Sequence, residues 1–152
     1  MDKGGEGKQV KLVVDASVAA KWIIPGEPWE EKASNLKGAI VLGRVEAYAP
    51  ILLTYELASV LLKAVKRGVL KAADGIEALK AVGSLGIDLA PVLWEEVAEI
   101  FEVAISTSLT IYDAAYLWLS KKLDAPLVTA DEKLCKKGGR IAKIISLQDL
   151  KI

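Results

Sequence analysis

The chain has 152 residues, the size of one domain, and 53% of them are hydrophobic, enough for a sizeable core. Lysine plus arginine equals aspartate plus glutamate at 20 each, so net charge announces no nucleic-acid partner. Histidine is absent, which excludes histidine general bases, Ser-His-Asp and Cys-His arrangements, and ordinary zinc sites.

Catalysis must therefore rest on carboxylates, lysines, hydroxyls or the one thiol, Cys135. Carboxylates with a hard divalent metal are the obvious remaining route. A lone cysteine forms no internal disulfide, no apolar stretch is long enough to span a bilayer, and no export signal opens the chain. A cytoplasmic protein with no membrane partner is expected.

Residues 1–9 are polar and glycine-rich, expected as a disordered tail ahead of a single domain over 10–152. Lys11 to Asp15 is a β-branched apolar run ending in a carboxylate, the pattern of a strand buried on both faces. A short helix is predicted from Ala16 to Ile24, and a second from Pro28 to about Leu42. A weak strand is expected at Glu46–Ala49. Pro50 is expected to open a long helix to about Arg67, which Gly68 closes. Helices over 71–82, 91–106 and 110–123 follow, with a strand at 87–90 between the first two. The strand Pro126–Thr129, a short helix over 132–137 and a last strand at 142–145 complete the chain. Short buried strands alternating with helices predict an α/β fold, a three-layer α/β/α sandwich with a central parallel sheet. Sites in such sheets form beyond the carboxyl ends of the strands.

That rule selects Asp15 and Asp131, each just past a strand. Either could equally be an N-cap, and Thr129 with Glu132 has the spacing of a capping box. Glu56 is the one charged side chain between Pro50 and Leu62, and a glutamate among leucines needs a partner. A lysine ion pair, or a narrow solvated face with Thr54 and Ser59, would also account for it. Asp113 follows Thr110 at the spacing of a capping pair, yet a first-turn carboxylate can also point toward a cation. Four carboxylates gathered at one edge would repel one another unless Mg²⁺ or Mn²⁺ neutralised them.

The ordered set Val13-Val-Asp-Ala-Ser-Val18, Leu53-Thr-Tyr-Glu-Leu-Ala58, Tyr112-Asp-Ala-Ala-Tyr116 and Leu127-Val-Thr-Ala-Asp-Glu-Lys-Leu134 resembles the PIN-domain family, most closely its small VapC-type toxins. The resemblance runs from Lys11 to Ser146. It implies an endoribonuclease using one or two Mg²⁺ or Mn²⁺ ions, with Asp15, Glu56, Asp113 and Asp131 as the acidic quartet. Ser17 and Thr129 would be hydroxyls orienting carboxylates or water. It also implies RNA as substrate, a small antitoxin protein as partner, and a homodimer. Lys63, Lys66 and Arg67, and Lys133, Lys136, Lys137 and Arg140, follow the acids along their helices. They could hold phosphates or simply complement helix C-termini.

Two other readings stand beside the toxin: a PIN-like nuclease of RNA processing, and an inactive PIN-like module that only grips a protein. An aspartyl-phosphate domain would want a second acid two residues past the first, where this chain has Ser17, and it leaves Glu56 without a role.

Overall fold

The computed structural model describes residues 9–152, and the expected tail lies outside them except for Gln9, whose side-chain amide donates to the Gly43 carbonyl at 2.8 Å. Five strands form one sheet: β1 (Val10–Val14), β2 (Val45–Pro50), β3 (Asp88–Ala90), β4 (Leu127–Thr129) and β5 (Ile144–Ser146). Their order is β3-β2-β1-β4-β5, and every pairing is parallel. In register, Val10 faces Val45 across β1–β2, Val14 faces Val128 across β1–β4, and Leu127 faces Ile144 across β4–β5.

Central strands buried on both faces must be apolar on both, and β1 divides its side chains accordingly. Val13 joins a core with Leu53, Leu57, Leu61, Tyr116 and Leu117 on one side of the sheet. Leu12 and Val14 join Leu36, Ile40 and Leu147 on the other. Helix α1 (Ala16–Ala19) follows β1, and α2 (Glu30–Val41) covers the second face. Helices α3 (Leu53–Lys66), α4 (Ala72–Gly83), α5 (Trp94–Thr107) and α6 (Ile111–Leu123) cover the first. Helix α7 (Glu132–Gly138) links β4 to β5. In α6 every residue from Ala114 to Ser120 is buried, because the helix lies between α5 and the sheet. Among the described residues no helix is long and apolar enough to cross a membrane.

The proline-marked helix starts fall later than expected. Pro50 closes β2 instead of opening a helix, because the next backbone N–H, that of Ile51, still donates to Ala90 at the end of β3 at 3.1 Å. Helix α3 then starts at Leu53. Helix α2 starts at Glu30, after Trp29 turns left-handed with φ 63°. Helix α5 starts at Trp94, three residues past Pro91, where the Glu96 carboxylate accepts the Leu93 N–H at 2.8 Å. The first helix ends at Ala19 and continues to Trp22 as a 3-10 turn. Strand β5 begins two residues late because the N–H groups of Ile141 and Ala142 fold back onto the Gly138 carbonyl. Gly138 is itself the last residue of α7, packed where a Cβ would lie 2.7 Å from Leu117 Cδ2.

Candidate metal centre

All strands point the same way, so the segments after β1, β2 and β4 emerge at one edge. The chain leaves β1 for β2 and β3 on one side and returns to β4 and β5 on the other. Ligand sites in open sheets form at such a reversal of strand order, and here it lies between β1 and β4. Asp15 follows β1 directly and Asp131 follows β4 by two residues. Glu56 lies in the first turn of α3, and Asp113 in the first turn of α6. Helix α6 precedes β4 and runs back against it, which brings its N-terminus to the same edge.

Asp15 is buried, with 5% of its surface exposed. Its Oδ1 accepts from the N–H groups of Ser17 (3.1 Å) and Val18 (3.3 Å), so it is the N-cap of α1, and also from Ser17 Oγ at 2.5 Å. Its Oδ2 accepts from Thr129 Oγ1 at 2.5 Å. Thr129 is fully buried and makes no capping box with Glu132; its hydroxyl oxygen instead accepts the Asp131 N–H at 3.0 Å. Ser17 Oγ accepts the Ala130 N–H at 3.0 Å and lies 3.4 Å from Thr129 Oγ1. Two hydroxyls thus tie the end of β1 to the end of β4 through one carboxylate.

Asp131 Oδ1 accepts the N–H groups of Lys133 (2.9 Å) and Leu134 (3.3 Å), capping α7. Thr110 Oγ1 accepts the Asp113 N–H at 3.1 Å, so the Thr110 cap is also present. Glu56 is half-buried, and among the described residues no lysine pairs with it. Tyr116 donates its hydroxyl to Glu56 Oε1 at 2.7 Å. Tyr116 sits in the core at 2% exposure. Asp113-x-x-Tyr116 places the two side chains one turn apart on one face, which brings Tyr116 near the site without revealing that its hydroxyl is used.

The electrostatics of the acids converge on Asp113. Burial pushes the Asp15 carboxyl up to about 6 from 3.8 against the hydrogen bonds from Ser17, Thr129 and Val18, with Asp113 adding to the rise. Burial raises Glu56, which the Tyr116 hydroxyl opposes and Asp113 reinforces. Burial raises Asp113 too, with Asp131 adding and Thr110 and Lys133 opposing. Among the described residues no ion pair within 4.0 Å engages any of the four. Nor do three of the acidic or thiol side chains stand close enough together to hold an ion as they lie. The donor set is carboxylate oxygen throughout, which fits a hard divalent cation and no soft one. The Cys135 thiol is raised by burial and by the Asp131 and Asp15 charges, which disfavours the thiolate a nucleophile needs.

The PIN domain family matches residues 12–140 of the chain. Ribonuclease VapC3 of Pyrobaculum aerophilum is 32% identical over 129 residues, 84% of this chain and 95% of that protein. Among solved structures, PAE2754 from Pyrobaculum aerophilum superposes with a TM-score of 0.67 at 24% identity, over 93% of each chain. VapBC2 from Rickettsia felis, bound to a DNA fragment from its promoter, superposes with a TM-score of 0.63 at 13% identity, over 90% of this chain and 98% of that one. The five-stranded parallel sheet with carboxylates at its reversal point and the similarity along most of the sequence agree: the chain belongs to the PIN-domain family, among its VapC-type ribonucleases.

Proposed function

We propose that this chain is a divalent-metal-dependent endoribonuclease and the toxin of a toxin–antitoxin pair, folded as one domain over residues 10–152. Asp15, Glu56, Asp113 and Asp131 hold Mg²⁺ or Mn²⁺ in this reading, and Ser17 and Thr129 orient Asp15. The observation that carries it is the electrostatic convergence on Asp113, whose charge raises Asp15 and Glu56 and whose own carboxyl is raised by the charge of Asp131. Burial of carboxylates that repel one another raises the free energy of the ionised chain, and a bound cation removes that cost.

When bound, the ion supplies Lewis-acid charge for the scissile phosphate and the attacking water. The protein's own part is orientation. Ser17 Oγ, two backbone N–H groups and Thr129 Oγ1 fix both oxygens of Asp15. Asp131 uses Oδ1 to cap α7, which leaves Oδ2 for the site. Lys133, whose charge reaches Asp113, is placed to meet an RNA phosphate; a single cation beside the acids serves even where net charge is zero. The antitoxin and homodimer parts of the reading draw on the two-component VapBC2 assembly and on the outer face of α5. There Trp94 (86% exposed), Phe101 (59%) and Ile105 (66%) leave apolar area of the kind a partner covers.

The test is cleavage of a mixed RNA pool with Mg²⁺ or Mn²⁺ by the wild type, Asp15→Asn and Asp113→Asn. Metal-dependent cutting that disappears in both folded variants is expected. A wild type that binds no metal and cuts nothing, once freed of any co-purifying partner, sinks the proposal and favours a binding module.

A further inference from the structure

Tyr116 lies one turn beyond Asp113 on α6, 2% exposed in the core with Leu57 and Leu61. Phenylalanine would fill the same volume. A buried hydroxyl is a liability unless it finds a partner, and this one donates to Glu56 Oε1 at 2.7 Å, across 60 positions of sequence. One hydrogen bond therefore links α6 to α3. Glu56 has three side-chain torsions, sits half-buried, and is repelled by Asp113. Left alone it would turn outward. A hydrogen bond to a carboxylate is about twice as strong as one between neutral groups, and its donor here belongs to a rigid ring held by the core.

We propose that Tyr116 is a positioning residue of the site, its hydroxyl holding Glu56 Oε1 so that Oε2 stays free for a divalent ion. This rests on the metal reading above. Partners that orient a ligand's second atom commonly tune metal affinity by tenfold or more.

The experiment titrates Mn²⁺ by calorimetry into the wild type, Tyr116→Phe, Glu56→Gln and the double variant, with RNA cleavage measured alongside. Tyr116→Phe should bind Mn²⁺ about tenfold more weakly and lose kcat in similar proportion at unchanged KM. In the Glu56→Gln background the same change should cost almost nothing. Wild-type affinity in Tyr116→Phe, or an equal loss in both backgrounds, overturns the proposal. A wild type without Mn²⁺ binding refutes the metal reading itself. A second measurement uses the unmutated chain labelled with 3-fluorotyrosine, which has four tyrosines to resolve. Mg²⁺ should move the Tyr116 fluorine resonance, and a resonance that stays still while Mg²⁺ binds overturns the proposal even if Tyr116→Phe does not fold.

Discussion

Replacing Asp15 by asparagine should stabilise the metal-free protein at neutral pH while abolishing its response to metal. The Asp15 carboxyl titrates near 6 in the folded chain, against an ordinary aspartate value of 3.8. The folded state therefore holds this proton more tightly than the unfolded state does. As pH rises from about 4 to about 6 the unfolded chain releases the proton first, and stability falls. Above about pH 6 the folded chain carries the whole cost, about 3 kcal/mol at 1.36 kcal/mol for each pH unit between the two values. Asparagine keeps the Oδ1 acceptor for the α1 cap, and its amide can donate to Thr129 Oγ1, whose own proton must then find a new acceptor. The net gain expected is about 1–3 kcal/mol at pH 7.5, with little difference at pH 4.5. Urea unfolding in chelator, followed by tryptophan fluorescence at both pH values, measures this directly. The difference between the two proteins matters more than either curve, because Glu56 and Asp113 titrate in both. Mg²⁺ should then reverse the order, since a ligand of the native state stabilises only the chain that binds it. A difference between the proteins that stays constant from pH 4.5 to 7.5 would refute the reasoning.

Other substitutions separate the structural and chemical duties of the same residues. Asp131→Asn retains an N-cap oxygen and should stay within about 0.5 kcal/mol of wild type, whereas Asp131→Ala should lose about 1 kcal/mol. Both should lose metal-dependent cleavage, and wild-type cleavage by the asparagine variant would reduce Asp131 to a cap. Thr129→Val removes the donor to Asp15 and the acceptor of the part-buried Asp131 N–H; thermal unfolding should show a loss of about 1–3 kcal/mol. Thr129→Ser should restore Mg²⁺ affinity, and failure to do so would argue that the methyl rather than the hydroxyl matters. Gly138→Ala puts a methyl 2.7 Å from Leu117 Cδ2 and 2.8 Å from Ile144 Cδ1. Overpacking at a buried site should outweigh the helix-propensity gain, for a net loss of about 1 kcal/mol. A variant as stable as wild type would mean that α7 can shift freely.

The order of strands and helices was legible where a central strand is buried on both faces and reads as an unbroken apolar run, as in Leu12-Val-Val14 of β1, whereas β2 carries Glu46 and reads only as a weak strand. Proline was the misleading signal. Pro28, Pro50 and Pro91 each look like a first helical residue, and each stands two or three positions ahead of its helix. At Pro50 the reason is tertiary: the bond from Ile51 to Ala90 exists only because β3 lies alongside, which no local pattern encodes. The delayed start of β5 has the same character, since it depends on backbone bonds to Gly138. Glu56 was conspicuous as a lone charge in an apolar helix. Its partner was not, because a tyrosine on a buried helix face has the same pattern whether its hydroxyl is used or idle.

Capping and metal binding look like competing explanations of an acid at a helix start, and the geometry removes the competition. Asp131 caps with one oxygen, and Glu56 gives one oxygen to Tyr116. Each retains a second. Asp113 and Glu56 lie in the first turns of 13- and 14-residue helices, where the helix dipole favours a negative charge by about 0.3–1 kcal/mol. Asp15 tests whether such devices suffice. It has the cap N–H groups of Ser17 and Val18 and two hydroxyls, the fullest set of donors among the four. Burial still outweighs them, leaving a residual cost of about 3 kcal/mol for its charge. Four donors leave that gap open, although Oδ2, with Thr129 as its one donor, keeps a lone pair. A neighbouring cation can close it, since it acts on Asp15, Glu56, Asp113 and Asp131 at once. If the carboxyl edge of this sheet holds an ion as proposed, the ion-free chain should be the less stable form of the protein at neutral pH.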